Sequence, residues 1–114
     1  MCGPVISAAQ RDRVLSYLDL ARQEGGSIVT GGGVPEGRDR GFWVEPTVIA
    51  GLTNDSRVAR EEIFGPVLVV IPHDGDDDAV RIANESAYGL SGSVDSASLE
   101  RAKAVAARIR TGTL

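Results

Sequence analysis

The sequence predicts an α/β layered fold, with a sheet that is at least partly parallel and helices flanking it. Three observations carry this. Stretches with apolar residues at helical spacing alternate with short β-branched runs, the pattern of helices and strands following one another in layers. The run Val67-Leu68-Val69-Val70-Ile71 has no polar alternation, as a strand covered on both faces requires. No internal repeat, low-complexity tract or linker long enough to separate a pair of domains interrupts the 114 residues.

Ser7 to Gln10 reads as a capping box. A Ser oxygen accepts from the backbone three residues on, and the Gln side chain reaches back, so a helix starts here. Val14, Leu15, Leu18 and Ala21 form one stripe, and Gly25-Gly26 stops the helix where a left-handed residue is cheapest. A short strand follows at Ile28-Val29-Thr30. The glycine-dense loop from Gly31 to Gly41 lacks both phosphate-loop patterns and is not followed by a capped helix, so it reads as a surface turn. Residues 42–49 are β-branched and aromatic with Pro46 inside, which suits an edge or interrupted strand. Residues 53–59 lead into a short helical turn, and residues 67–71 form the predicted central strand.

Asp76, Asp77 and Asp78 precede Ala79, Val80, Ile82 and Ala83, where three acids complement the positive end of a helix. The same acids could be read as a metal site, but no EF-hand spacing follows them and no His or Cys joins them. Residues 92–94 suggest another short strand. Ser96 or Ser98 starts a last helix with Leu99, Ala102, Ala106 and Ile109 as its stripe and with Arg108 and Arg110 in its final turn. Gly112 ends that helix, and Thr113-Leu114 begin a strand.

Composition narrows the function classes. The content is 42% hydrophobic with a single Cys, which is that of one small globular domain without an internal disulfide. The longest apolar stretch falls far short of the ~20 residues of a membrane span, and the N-terminus has no secretory pattern. A reducing cytoplasm is therefore the expected compartment. A net charge of −4 without any basic cluster interleaved with aromatics argues against nucleic acid as a partner. His73, the one His, has no motif partner and reads as a solvated loop residue; Cys2 reads as an incidental thiol.

The segment Glu61-Glu62-Ile63-Phe64-Gly65-Pro66-Val67 stands out, because ordinary packing does not call for two acids, an aromatic and a Gly-Pro turn beside an apolar strand. Taken alone, Glu61 and Glu62 read as a solvated pair, with Glu61 facing Arg60 or solvent, and Phe64 reads as core. Together with Trp43-Val44-Glu45-Pro46-Thr47-Val48 and Tyr88-Gly89-Leu90-Ser91-Gly92-Ser93-Val94, the segment resembles the late part of the NAD(P)-dependent aldehyde dehydrogenase superfamily. The resemblance runs with few gaps from Gly3-Pro4 to Gly112-Thr113.

That resemblance implies a fold, a reaction and a set of roles. Residues 1–114 would be a C-terminal part of the catalytic domain, lacking the nucleophile Cys segment and the NAD-binding domain. In the implied reaction a Cys thiolate attacks an aldehyde, hydride passes to NAD or NADP, and a Glu-activated water hydrolyses the thioester. The nucleophile, the oxyanion-stabilising Asn and the general-base Glu precede Met1 in the family's order, so no catalytic residue is expected in this chain. Cys2 lacks the Gly-Gln-x-Cys setting of the nucleophile. In the family the second Glu of Glu-Glu-x-Phe-Gly-Pro contacts the nicotinamide ribose and the Phe packs near the nicotinamide, which points to Glu62 and Phe64. Family members also border the cofactor cleft with a Gln followed three residues on by a Lys. Gln10 and Arg13 occupy those places, Arg keeping the charge with a different geometry.

The expected function is that of a dehydrogenase fragment supplying the nicotinamide-ribose side of the cofactor cleft, inactive alone, within a full-length homo-oligomer acting on a small-molecule aldehyde. The alternative is an assembly module that keeps the fold without the chemistry. An upstream segment with Gly-Gln-x-Cys separates the two.

Overall fold

The computed structural model describes residues 2–114. The chain falls into two compact units, Met1–Ile71 and Pro72–Leu114. Each is described by itself.

The first unit is built on helix α1 (Ala8–Gln23) and a three-stranded sheet of β1 (Ser27–Thr30), β2 (Thr47–Ala50) and β3 (Val67–Val70), with a single-turn helix α2 (Arg57–Arg60) between the last two strands. Ser7 begins α1 by accepting from the Gln10 amide at 3.1 Å. Half of the expected capping box is present. The Gln10 side chain does not turn back to Ser7 but reaches across the unit to the carbonyls of Ile63 and Phe64. At the other end Gly25, at φ 88°, closes a Schellman motif: its N–H bonds the Arg22 carbonyl at 3.2 Å, and the Gly26 N–H bonds that of Ala21 at 2.8 Å.

The buried stripe of α1 consists of Val14, Tyr17, Leu18 and Ala21. With Val44, Ile49, Leu52 and Val58 these form the core, against which Leu15, Ile28, Ile63, Val67 and Val69 pack half-buried. Buried Thr47 is satisfied: its hydroxyl donates to the Glu45 carbonyl at 2.7 Å and accepts from the Gly32 amide at 3.0 Å.

The sheet corrects two expectations. Residues 42–46 are not part of a strand beyond an isolated bridge of Phe42 to Val5; β2 begins after Pro46, which has no N–H to offer a ladder, and it is the central strand. It pairs antiparallel with β1 (Ile28↔Ile49), whose register slips between Ile28 and Thr30, and parallel with β3 (Thr47↔Val67 to Ala50↔Val70). The predicted central strand β3 therefore lies at the edge. Its residues alternate in burial, with Leu68 60% and Val70 46% exposed. An apolar run records that a strand is suited to cover on both faces, not that the cover lies within these residues.

The second unit holds α3 (Asp76–Asn84) and α4 (Leu99–Ala106). Each of the three acids that open α3 meets an Arg: Asp76 pairs with Arg101 at 2.7 Å, Asp77 with Arg108 at 2.7 Å, and Asp78 with Arg81 at 2.6 Å. Ser98 begins α4 by accepting from the Arg101 amide. The expected stripe is present in part: Ala102, Ala106 and Ile109 are half-buried, but Leu99 is exposed, no residue of α4 is fully buried, and the helix ends at Ala106 before Arg108, Ile109 and Arg110. The Arg110 amide instead donates to the Asn84 side chain at 2.7 Å. Nor do residues 92–94 form a strand. The pairing here is an isolated parallel bridge, Ser91 to Thr113, with the Gly92 N–H on the Thr113 carbonyl at 2.9 Å. No helix among the described residues is long and apolar enough to cross a membrane.

Candidate cofactor-facing site

The site is made where α1 meets the segment between α2 and β3. Residues 10, 13, 14 and 17 fall at i, i+3, i+4 and i+7, which puts them on one face of the helix. Every one of them engages residues 61–65. Gln10 Nε2 donates to the carbonyls of Ile63 at 2.9 Å and Phe64 at 2.8 Å. Arg13 Nη2 donates to the carbonyl of Glu62 at 2.8 Å. The Tyr17 hydroxyl donates to Glu61 Oε2 at 2.5 Å.

Val14 completes the face by shape. A Cβ built on Gly65 would lie 2.4 Å from Val14 Cγ2, so only glycine lets the chain lie this close to the helix. Pro66 then fixes the backbone that enters β3, and its carbonyl accepts from the Thr47 amide at 2.8 Å.

The result is a loop whose main chain is held at residues 62–64 and whose Glu62 and Phe64 side chains are exposed. Glu62 is exposed, and among the described residues its carboxylate has no hydrogen bond or ion pair. Phe64 is 73% exposed and sits at φ 56°, the one non-glycine residue with positive φ among the described residues. A left-handed phenylalanine costs about 1–2 kcal/mol and persists only where its surroundings over-determine it. The bonds of Gln10 to the carbonyls on either side of the Phe64 nitrogen and α-carbon supply that constraint.

Glu61 serves a different purpose from Glu62. Its partner is Arg57, one helical turn earlier, and not Arg60: Arg57 Nε meets Oε1 at 2.7 Å and Nη2 meets Oε2 at 3.1 Å. The bonds from Arg57 and then Tyr17 hold the Glu61 carboxyl at about 2, far below the usual carboxylate range. The same bond to Glu61 pushes the Tyr17 phenol up.

All four residues singled out in the sequence, Gln10, Arg13, Glu62 and Phe64, thus come together. Gln10 and Arg13 grip backbone; Glu62 and Phe64 face outward. Tyr17, Arg57 and Glu61 join the site without having been expected there. The i, i+4 spacing of Arg57 and Glu61 is a local signal for one pair. Nothing local signals Tyr17 to Glu61, 44 residues away. Cys2 and His73 lie outside this constellation, Cys2 as an exposed free thiol and His73 with Nδ1 3.0 Å from the Gly75 carbonyl.

Comparison with known proteins places this chain in a family. The sequence profile of the aldehyde dehydrogenase family matches residues 1–114. The chain is 52% identical over 113 residues to 2-aminomuconic 6-semialdehyde dehydrogenase of a Pseudomonas species, covering 96% of this chain and 23% of that protein. It is 46% identical to betaine aldehyde dehydrogenase of Rhizobium johnstonii, with 98% and 23% covered. Among solved structures, Mycobacterium tuberculosis aldehyde dehydrogenase complexed with NAD+ superposes with a TM-score of 0.96 at 49% identity, covering 99% of this chain and 23% of that one. Betaine aldehyde dehydrogenase of Staphylococcus aureus in complex with NAD+ gives 0.93 at 41%, covering 97% and 22%.

The chain belongs to the aldehyde dehydrogenase family, a family of oxidoreductases. It spans about a quarter of the length of the curated relatives it matches. These relatives are all named as dehydrogenases, which favours the enzyme-fragment reading over an assembly module.

Proposed function

We propose that this chain is a C-terminal segment of an NAD(P)-dependent aldehyde dehydrogenase, and that it forms the wall of the cofactor cleft facing the nicotinamide ribose. The observation that carries the reading is the outward pairing of Glu62 and Phe64 on a loop whose backbone is fixed by Gln10, Arg13 and the close approach of Gly65 to Val14. A ribose diol is met by an unengaged carboxylate on a held backbone, and Glu62 offers one. Its carboxylate can accept from both hydroxyls, and acceptance by a charged group is the stronger kind. Phe64 offers an apolar face two residues away. Gln10 and Arg13 border the cleft by holding these two in place.

The bound dinucleotide would supply the hydride acceptor for oxidation of an aldehyde to an acid. The residues here orient it and take no part in bond breaking. By the same reading the 114-residue chain alone does not turn over substrate.

The test is direct NAD+ binding by calorimetry to the full-length dehydrogenase carrying this segment. Glu62→Gln is expected to raise Kd by roughly ten-fold, the scale of a charge-assisted hydrogen bond. An unchanged Kd would overturn the assignment of Glu62. The isolated chain, mixed with NAD+ and an aldehyde, is expected to form no NADH. Turnover that survives Cys2→Ala and removal of any longer enzyme would sink the fragment reading.

A further inference from the structure

Tyr17 is the point where the two supports of Glu62 join. It lies one turn beyond Arg13 on α1, is 8% exposed, and belongs to the hydrophobic core by its ring. Its hydroxyl donates to the carboxylate of Glu61, the residue before Glu62, at 2.5 Å. The same oxygen accepts at 3.4 Å from Arg13 Nη2, the nitrogen that holds the Glu62 carbonyl at 2.8 Å. The Arg13 guanidinium also lies 5.2 Å from the centre of the Tyr17 ring. Arg57 closes the far side of Glu61.

A phenol suits this place for a chemical reason. It donates and accepts through one oxygen, and a rigid ring carries that oxygen out of a packed core. Phenylalanine would keep the ring and its contact with Arg13 but lose both bonds. Arg13 would then be hydrogen-bonded only to the Glu62 carbonyl, and the Glu61 carboxylate only to the exposed Arg57. The groups on either side of the Glu62 backbone, the Arg13 guanidinium and the Glu61 carboxylate, would each lose one anchor while the fold around them is retained.

We propose that Tyr17 is a positioning residue for Glu62, fixing the carboxylate for the cofactor ribose by way of Glu61 and Arg13. The inference rests on the assignment of Glu62 given above and adds a residue whose own side chain never meets the cofactor.

The experiment is a double-mutant cycle read by calorimetric NAD+ binding to the full-length dehydrogenase, with Tyr17→Phe, Glu62→Ala and the pair. Tyr17→Phe alone is expected to raise Kd about three- to ten-fold, the loss of one or two hydrogen bonds in a network. In the Glu62→Ala background it is expected to have no further effect, because the group it positions is gone. An equal Kd increase in both backgrounds would show a general structural role and overturn the proposal. No change on Tyr17→Phe, with Glu62→Ala weakening binding, would overturn it while leaving the role of Glu62 intact. No change on Glu62→Ala would remove the assignment itself and the inference with it. If Tyr17→Phe does not fold, Glu61→Gln, at a half-exposed side chain, takes its place in the cycle with the same expected coupling.

Discussion

Ser56 donates its hydroxyl to the carboxylate of Glu24, joining the end of α1 to the start of α2. Glu24 is the residue that closes α1, and its two oxygens also accept from the amides of Arg57 at 3.1 Å and Val58 at 3.4 Å. One carboxylate therefore caps a helix 32 residues away while its own backbone ends another. Since α2 leads directly into Glu61, this joint sets where the loop carrying Glu62 and Phe64 begins.

The joint has a pH signature. The Ser56 hydroxyl, with the two amides, holds the Glu24 carboxyl below its usual range, and Arg57 with Tyr17 holds Glu61 at about 2. For carboxyls whose folded value is depressed, stability is fully present above the unfolded value near 4.5 and is lost as pH falls through the folded one. Thermal melts followed by circular dichroism are expected to show Tm falling steadily between about pH 4.5 and pH 2. Glu24→Gln and Glu61→Gln are each expected to flatten that slope and to lower Tm by a few degrees at neutral pH. A Tm that follows the same acid slope in both variants would rule these two carboxylates out as its source.

Gly65→Ala is expected to destabilise the first unit by about 1–3 kcal/mol, the range for forcing an extra methyl into a packed site. The new Cβ meets Val14, a core residue with no exposed surface, so the cost falls on α1 as well as on the loop. Val14→Ala opens a cavity beside Gly65, and the double variant is expected to be more stable than the sum of the two single losses predicts. Denaturation midpoints of the four proteins measure this coupling, and strict additivity would show that the helix and loop do not share the contact.

Phe64→Gly is expected to separate stability from function. Relief of the left-handed backbone contributes about 1–2 kcal/mol, against about 0.5–1 kcal/mol for the extra freedom of glycine in the unfolded chain. The balance favours a protein more stable by up to about 1.5 kcal/mol. The aromatic face is lost with it, so NAD+ binding by the full-length enzyme is expected to weaken. A variant that is both less stable and unchanged in binding would contradict the strain and the role together.

Much of the local structure is legible in the residues. Ser7 and Ser98 announce helix starts because their bonds run to amides three residues on, within reach of any local reading. Gly25 announces a helix end for the same reason. The position of β2 is harder to read because Trp43 and Val44 carry strand-like side chains, whereas Pro46 delays the ladder until Thr47. The place of β3 in the sheet depends on which neighbours it finds, and the composition of four apolar residues does not contain that information. Gln10 is the instructive case. Its residue type fits a capping box, yet its amide is used 53 and 54 residues away. Glu62 and Phe64 are visible through a family motif, while Tyr17 requires coordinates.

The grip of α1 on residues 62–64 falls entirely on carbonyl oxygens, which every amino acid possesses. What residue 62 presents can therefore change without rewriting how the loop is seated, whereas residue 64 must also adopt a left-handed backbone. The helix acts as a socket, and the outward position at 62 is a fitting that can be exchanged at little risk to the architecture that seats it.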